Sequence, residues 1–186
     1  MANTNVTTRK PVRLSYVNLF TPRSSAQDGS NPRYSATLLI PKTNTALKDQ
    51  LDAAIDAART AAAAKGIPNA KTLKSPIHDG DGEKPNGGAY GPECRGMWVL
   101  NASSKRRPGV VDRSLNAILD QTEVYSGMWA NVDVNFYGFS VPGNRGIACG
   151  LNNVQKVRDD EALGGTAAKA EDVFKAVEDD DDDLGL

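Results

Sequence analysis

Histidine occurs once in this 186-residue chain, at position 78, and cysteine twice, at 94 and 149. That scarcity removes most zinc ligand sets, which need Cys and His at close, repeated spacings. It also leaves little for a nucleophile–base pair, since His78 would have to serve alone. No stretch comes near the roughly 18 apolar residues of a membrane span. The N-terminal MANTNVTTRK has no apolar core of the kind a secretory signal needs, so the protein is expected in the cytoplasm in which it is made. In that reducing compartment Cys94 and Cys149 are expected to be buried thiols rather than a disulfide. Hydrophobic residues make up only 39% of the chain, which implies that part of it does not pack into a core.

The formal net charge of −1 conceals an asymmetry. Residues 1–158 carry 20 Lys and Arg against 12 Asp and Glu, a net +8; residues 159–186 carry 2 against 11, a net −9. A basic body with an acidic end suits a nucleic-acid binder whose tail competes for its own site, and it equally suits a solvated surface with a solubilising tail. The run EDDDDD at 178–183 is expected to be disordered, because six contiguous acids repel one another and offer nothing to a core. The reading divides the chain into a flexible N-terminal arm (1–10), one domain (11–158) and an acidic flexible tail (159–186), with a short helix near 169–177.

The body reads as mainly β. VRLSYVNLF (12–20) alternates as a strand with Val12, Leu14 and Tyr16 on one side, and YSATLLI (34–40) forms a second, stopped by Pro41. Asn44 or Thr45 caps a helix running to residue 65, with Leu47, Leu51, Ile55 and Ala58 as its apolar stripe and Gly66 and Pro68 as its stop. Residues 66–95 hold six Gly and four Pro and are expected to be irregular. A strand over 96–103, a basic turn at 104–109 and a short helix or helical turn around Arg113–Asp120 follow. In 127–141, Ala130, Val132, Val134 and Phe136 share one face, and Trp129, Asn131, Asp133, Asn135, Tyr137 and Phe139 the other. A last strand over 146–157 turns Ile147, Cys149 and Leu151 inward. Five strands and one long helix indicate an OB-like five-stranded barrel with long irregular loops. The usual OB helix lies between strands three and four, whereas this one lies between two and three. Either a strand is hidden in 66–95 or the fold is a variant.

Catalytic chemistry is thin. Asp79 and Asp81 beside His78 form a D-x-D pair that can hold a hard cation, but the same residues make an ordinary Asx-rich glycine turn. A metal-dependent nuclease would need further ligands that the sequence does not supply. The glycine turns lack the lysine–serine pattern of a P-loop. Material for nucleic-acid binding is richer, because single-strand binders combine a basic groove with aromatic platforms. Arg33 adjoins Tyr34; Arg95 lies near Tyr90 and Trp98; Lys105, Arg106 and Arg107 form one turn; Trp129, Tyr137 and Phe139 share a polar face. Each of these aromatics has an alternative as core, and the basic turn an alternative as solvated surface.

RLSYVNLFTP followed by YSATLLIPK, then IHDGDGE, RPGVVD, YSGMWANVDVNFYGF, GIACGLNNVQKVRDDEALGG and the terminal acids resemble, in that order, the family of tailed-phage single-stranded DNA-binding proteins. The resemblance implies an OB fold, a non-enzymatic module without cofactor or metal, and a role in phage DNA replication and recombination in the cytoplasm of an infected bacterium. It also implies that the tail (Glu178, Asp179, Asp180, Asp181, Asp182, Asp183, Leu184 and Leu186) competes for the DNA site and recruits replication proteins. The terminal LGL departs from the aromatic tip familiar in some replicative single-strand binders. Single-stranded DNA is the expected partner, a homodimer stays open, and no membrane is involved. The competing readings are an RNA-binding OB module, which would need closely spaced aromatic motifs not found here, and a phage structural or scaffolding protein.

Overall fold

The computed structural model describes residues 3–24 and 29–163. In chain order these form β1 (Asn5–Thr7), β2 (Val12–Arg23), β3 (Arg33–Pro41), α1 (Thr45–Ala64), β4 (Ile77–Asp79), β5 (Met97–Ser104), β6 (Gly109–Val111), β7 (Trp129–Val141) and β8 (Asn144–Arg158). β2 pairs with β3, β3 with β5, β5 with β8, β8 with β7, and β7 with β2. That circuit closes a five-stranded barrel, antiparallel except for the short parallel contact between β5 and β8. It is the OB arrangement, and its five members are the five strands legible in the sequence.

The interior follows the alternation of the strands. Val12 and Leu14 of β2, Ala36, Leu38 and Ile40 of β3, Leu100 and Ala102 of β5, Ala130 to Phe136 in steps of two on β7, and Ile147, Cys149 and Leu151 on β8 are all buried. The stripe Leu47, Leu51, Ile55 and Ala58 packs α1 onto this core. The Asn44 side chain caps the helix by accepting from the Leu47 amide at 3.2 Å. Gly66, at φ +83°, follows its C-terminus.

Three parts of the sequence reading change. Part of the proposed N-terminal arm is sheet: β1 pairs with Asp133–Asn135, Val6 is buried, and the Thr8 hydroxyl accepts from the Val132 amide at 2.9 Å. Short strands are thus recruited by burial of one apolar residue and completion of backbone pairs, neither of which shows in local composition. The irregular segment contains β4, which lies against β5 without joining the barrel, so the helix between the second and third barrel strands is a true variant. Around Arg113–Asp120 there is a turn and no helix. The Asp112 carboxylate accepts from the amides of Ser114 and Asn116 at 2.8 and 2.9 Å, offering the backbone an alternative to helical bonds.

α1 approaches the barrel closely enough to demand glycine. A Cβ at Gly138 would lie 2.5 Å from Ala62 Cβ and 3.3 Å from Ile67 Cδ1. Gly138→Ala is expected to lower stability by about 1–3 kcal/mol through overpacking. Adding Ala62→Gly should return part of the loss, and thermal denaturation of the single and double variants checks this.

Candidate nucleic-acid interface

Barrel closure places one continuous row of residues on the outer face. Trp129 pairs with Arg13, Arg13 with Leu39, Leu39 with Val99, and Val99 with His78, across β7, β2, β3, β5 and β4. Cross-strand partners point to the same side of a sheet. A second row runs Ser15, Thr37, Asn101, and a third Asn18, Ser35, Ser103. A cleft of about 500 Å³ opens over the first two rows, with Leu39 and Val99 as its apolar floor. Thr37 donates to the Asn101 carboxamide oxygen at 2.7 Å along that floor. The loop carrying Lys84, Tyr90 and Cys94 forms one wall. Tyr90 and Cys94 pack on Leu39 and Val99, and the Lys84 ammonium stands 5.9 Å from the Tyr90 ring.

The other side of the cleft is formed by Tyr16. Between the pairs Ser15–Thr37 and Asn18–Ser35, β2 carries one residue more than β3, a β-bulge. Tyr16 absorbs it at φ +47°, a left-handed conformation that costs a bulky residue of order 1–3 kcal/mol. The bulge is held by a bond from the Val17 amide to the Ser126 hydroxyl at 3.2 Å and by one from the Asn18 carboxamide to the Tyr16 carbonyl at 3.1 Å. The alternation read from sequence puts Tyr16 inward with Val12 and Leu14. The bulge reverses it, leaving Tyr16 69% exposed in the cleft lining. This is the site residue the sequence reading missed; its only signal there is Tyr itself, since a bulge leaves no mark on periodicity.

The residues singled out from sequence fall in several places. Tyr90 lines the cleft. Arg33 sits at one end of the outer face, donating to the Ser103 hydroxyl at 3.3 Å and opposite Arg23 across the strands. The turn of Lys105, Arg106 and Arg107 follows β5 at that same end and is exposed, with the Arg107 guanidinium 4.9 Å over the Phe20 ring. Tyr34 pairs with Ser104 there, but alternation puts it on the side of Ala36. Arg95 is exposed on the loop beside Gly96. Trp98 lies on the opposite side of β5 from Val99, packed against the main core and covered by the Lys42 and Lys48 ammonium groups at 4.8 and 4.7 Å. Tyr137 and Phe139 stand on the outer arm of the β7–β8 hairpin opposite Ala148 and Gly146. Glu178 to Leu186 lie outside the described residues.

Trp129 stands at the far end of the first row. Its indole N–H donates to Asp160 at 2.8 Å, and the Arg158 guanidinium lies 4.5 Å over its ring. Residues 159–163, which the sequence reading places in the tail, are therefore held against the body. Asp159 accepts from the Tyr125 hydroxyl and pairs with Lys156, both at 2.8 Å; the Leu163 amide donates to the Ser126 carbonyl at 2.8 Å. Tyr125, Ser126 and Trp129 are distant in sequence, which is why charge composition assigns the segment to the tail.

Asp79 and Asp81 share a side-chain cation. The Lys42 ammonium bonds both carboxylates, at 2.5 and 2.8 Å, and these bonds hold both acids below the usual carboxylate range. Asp81 also accepts from the Gly96 amide at 3.1 Å, so the pair ties the loop to β5. Among the described residues no group of three or more His, Cys, Asp and Glu gathers as a metal site. Cys94 and Cys149 are free and buried, and burial pushes both thiols up, away from the reactive thiolate.

Trp98→Ala is expected to lower the melting temperature, at a cost of about 3–5 kcal/mol for loss of a large packed ring. Where the variant is folded, its affinity for oligonucleotides should match the parent. A paired melting and fluorescence-titration experiment separates the two effects.

Residues 4–184 match the family model described as Enterobacter phage Enc34, ssDNA-binding protein. Protein p50 of Acyrthosiphon pisum secondary endosymbiont phage 1 is 33% identical over 174 residues, covering 87% of this chain and 88% of p50. The single-stranded DNA-binding protein of bacteriophage Enc34, solved in complex with ssDNA, is similar with a TM-score of 0.71 and 30% identity, over 87% of this chain and 90% of that one. The single-stranded DNA-binding protein gp2.5 of bacteriophage T7 shares the fold, with a TM-score of 0.54 and 14% identity over 96% of this chain and 97% of that one. With a barrel of that shape and a family match over nearly its whole length, the chain belongs to the Enc34 single-stranded DNA-binding protein family.

Proposed function

We propose that this protein binds single-stranded DNA without regard to base sequence, in the cleft between Tyr16 and the Lys84–Cys94 loop. The observation that carries the reading is Tyr16, a strained and 69% exposed aromatic ring beside an apolar floor on the outer face of the barrel. Every base has a π-face, so an exposed ring binds all four alike. The floor of Leu39 and Val99 accepts the apolar faces of bases, while Thr37, Asn101 and Ser15 offer polar contacts that a base or sugar of any identity can meet. Lys84, Arg33, Arg23 and the Lys105–Arg107 turn supply charge for phosphates. Arg95, Tyr137 and Phe139 are peripheral contacts of a longer bound strand, whereas Tyr34, on the side of Ala36, is not one of them. The Enc34 relative's complex with ssDNA supports the same ligand for this chain.

The protein acts as a non-enzymatic binder in phage DNA replication and recombination, in the cytoplasm of the infected host. The acidic run at 178–183 competes with DNA for the basic face at the high effective concentration of a tethered segment, and its release recruits replication proteins.

Tyr16→Ala is expected to weaken oligo-dT binding by about 1–3 kcal/mol with little change in melting temperature, and Tyr16→Phe to bind like the parent. Log affinity should fall with log salt by about 0.7 per phosphate neutralised, and duplex of equal length should bind more weakly. Equal affinity for duplex and single strand, or an unchanged Tyr16→Ala titration, argues against the cleft. Truncation after Val177 should raise single-strand affinity at low salt, with the gain shrinking as salt is added.

A further inference from the structure

The first outer row does not stop at the cleft. From Leu39 it continues to Arg13 and Trp129, and there the surface is covered by the chain's own residues 159–163. The covering contacts converge on one carboxylate. Asp160 Oδ2 accepts from the Trp129 indole N–H at 2.8 Å and lies 3.9 Å from Arg13 Nη2 and 3.7 Å from Arg158 Nη1. An aromatic N–H and two guanidiniums around one anionic oxygen make a constellation suited to a phosphate, and Arg158 is already stacked on the ring. We propose that Arg13, Trp129 and Arg158 form a further nucleotide subsite of the DNA face, whose phosphate position Asp160 occupies in the free protein. The inference rests on the single-strand binding reading and extends the site beyond the open cleft.

The covering segment is built to seat there and to leave. Glu161 accepts from Arg13 Nη2 through its backbone carbonyl at 2.7 Å, and that carbonyl lies where a Cβ on residue 127 would be, so the close approach requires Gly127, at φ +117°. Leu163 then packs against the cluster of Leu39, Val99 and Cys94, which holds the floor of the cleft and part of its wall. The segment thus spans from the Trp129 patch to the cleft, the path that a bound strand crossing the row would follow. Yet Asp159, Asp160 and Glu161 are all exposed, and exposed ion pairs contribute little and are screened by salt. A polyanion that brings a phosphate to both guanidiniums and the indole N–H replaces the contacts of Asp160 Oδ2 with Trp129, Arg13 and Arg158, leaving its backbone bonds with the Tyr125 hydroxyl to be broken. Displacement of 159–163 also frees the Leu39–Val99 floor from Leu163, so the subsite and the cleft open together.

The test uses the full-length protein titrated with oligo-dT at low ionic strength. Asp160→Ala is expected to bind about three- to tenfold more tightly than the parent, the size of a few exposed ion pairs released. Its salt slope should be steeper by about 0.7 for each guanidinium newly engaged. Trp129→Ala in the Asp160→Ala background should remove the gain, with the two substitutions non-additive. Asp160→Asn, which keeps the shape and an oxygen for the indole N–H, should give a smaller gain in the same direction and serves if the alanine variant is poorly folded. Unchanged affinity in a folded Asp160 variant, or a gain that survives loss of Trp129, overturns the subsite and leaves Asp160 as a latch. Tyr16→Ala run in parallel tells the two failures apart. If it weakens binding while the Asp160 variants do not, the subsite alone falls; if neither changes binding, the cleft reading falls with it.

Discussion

Alternate residues of five strands must all find an apolar partner at once, and closing the sheet on itself is how this chain meets that demand. Val12 and Leu14 of the first barrel strand lie in one core with Leu100, Val134 and Leu151 of the later ones. The long β7–β8 hairpin, paired from Ala130–Lys156 to Val141–Asn144, completes the circuit. Because side chains alternate strictly along a strand, fixing the inner set fixes the outer set as well. The outer rows through Leu39 and Thr37 are a consequence of that closure. No local property of β2, β3 or β5 selects them.

One departure from alternation makes the outer face useful. Without the extra residue in β2, Tyr16 would point at the barrel interior and compete with Leu14 and Ala36 for space. With it, the ring stands in solvent at the edge of an apolar floor. The backbone conformation is unfavourable for tyrosine, and the surrounding structure sustains it through the bonds at Val17 and Asn18 and the packing of Val17 and Leu19 beneath. Two apolar residues on the outer side of the sheet, Leu39 and Val99, are in turn buried together with Cys94 beneath Tyr90, Met97 and Leu163.

Charged groups on both sides of the sheet are paired within the chain. Asp79 and Asp81 take Lys42; Asp159 takes Lys156; Asp160 lies between Arg13 and Arg158. The first set ties a loop to β5 and leaves no open cation site. Of the others, the Asp160 contacts lie at Trp129 and Arg13, the end of the outer row. The acidic character of the chain's end thus starts within the folded body, several residues before the run at 178–183.

Much of the barrel was legible in the linear pattern. Period-two alternation marked β2, β7 and β8, β3 and β5 were legible as strand segments between turn signals, the four-four-three stripe and Asn44 marked α1, and the order of motifs marked the family. Those features are local, set by side-chain polarity and capping chemistry within a few residues. The site was legible only in part. Tyr90, Arg33 and the Lys105–Arg107 turn lie on or beside the outer face, but Trp98, adjacent to Val99, faces the other way, and Tyr16 was assigned to the wrong side. A bulge shifts register by one residue without changing composition, and a single shift reverses every side chain beyond it. β1 and β4 were invisible because a three-residue strand is stabilised by the strand it joins. The pinning of 159–163 depends on Arg13, Tyr125 and Trp129, residues far away in sequence. Composition and periodicity by themselves determined the barrel, the helix and the charge division of the chain. Only the tertiary structure decided which aromatic faces the cleft and which carboxylate meets Trp129, Arg13 and Arg158, because both depend on distances between strands that meet only when the barrel closes.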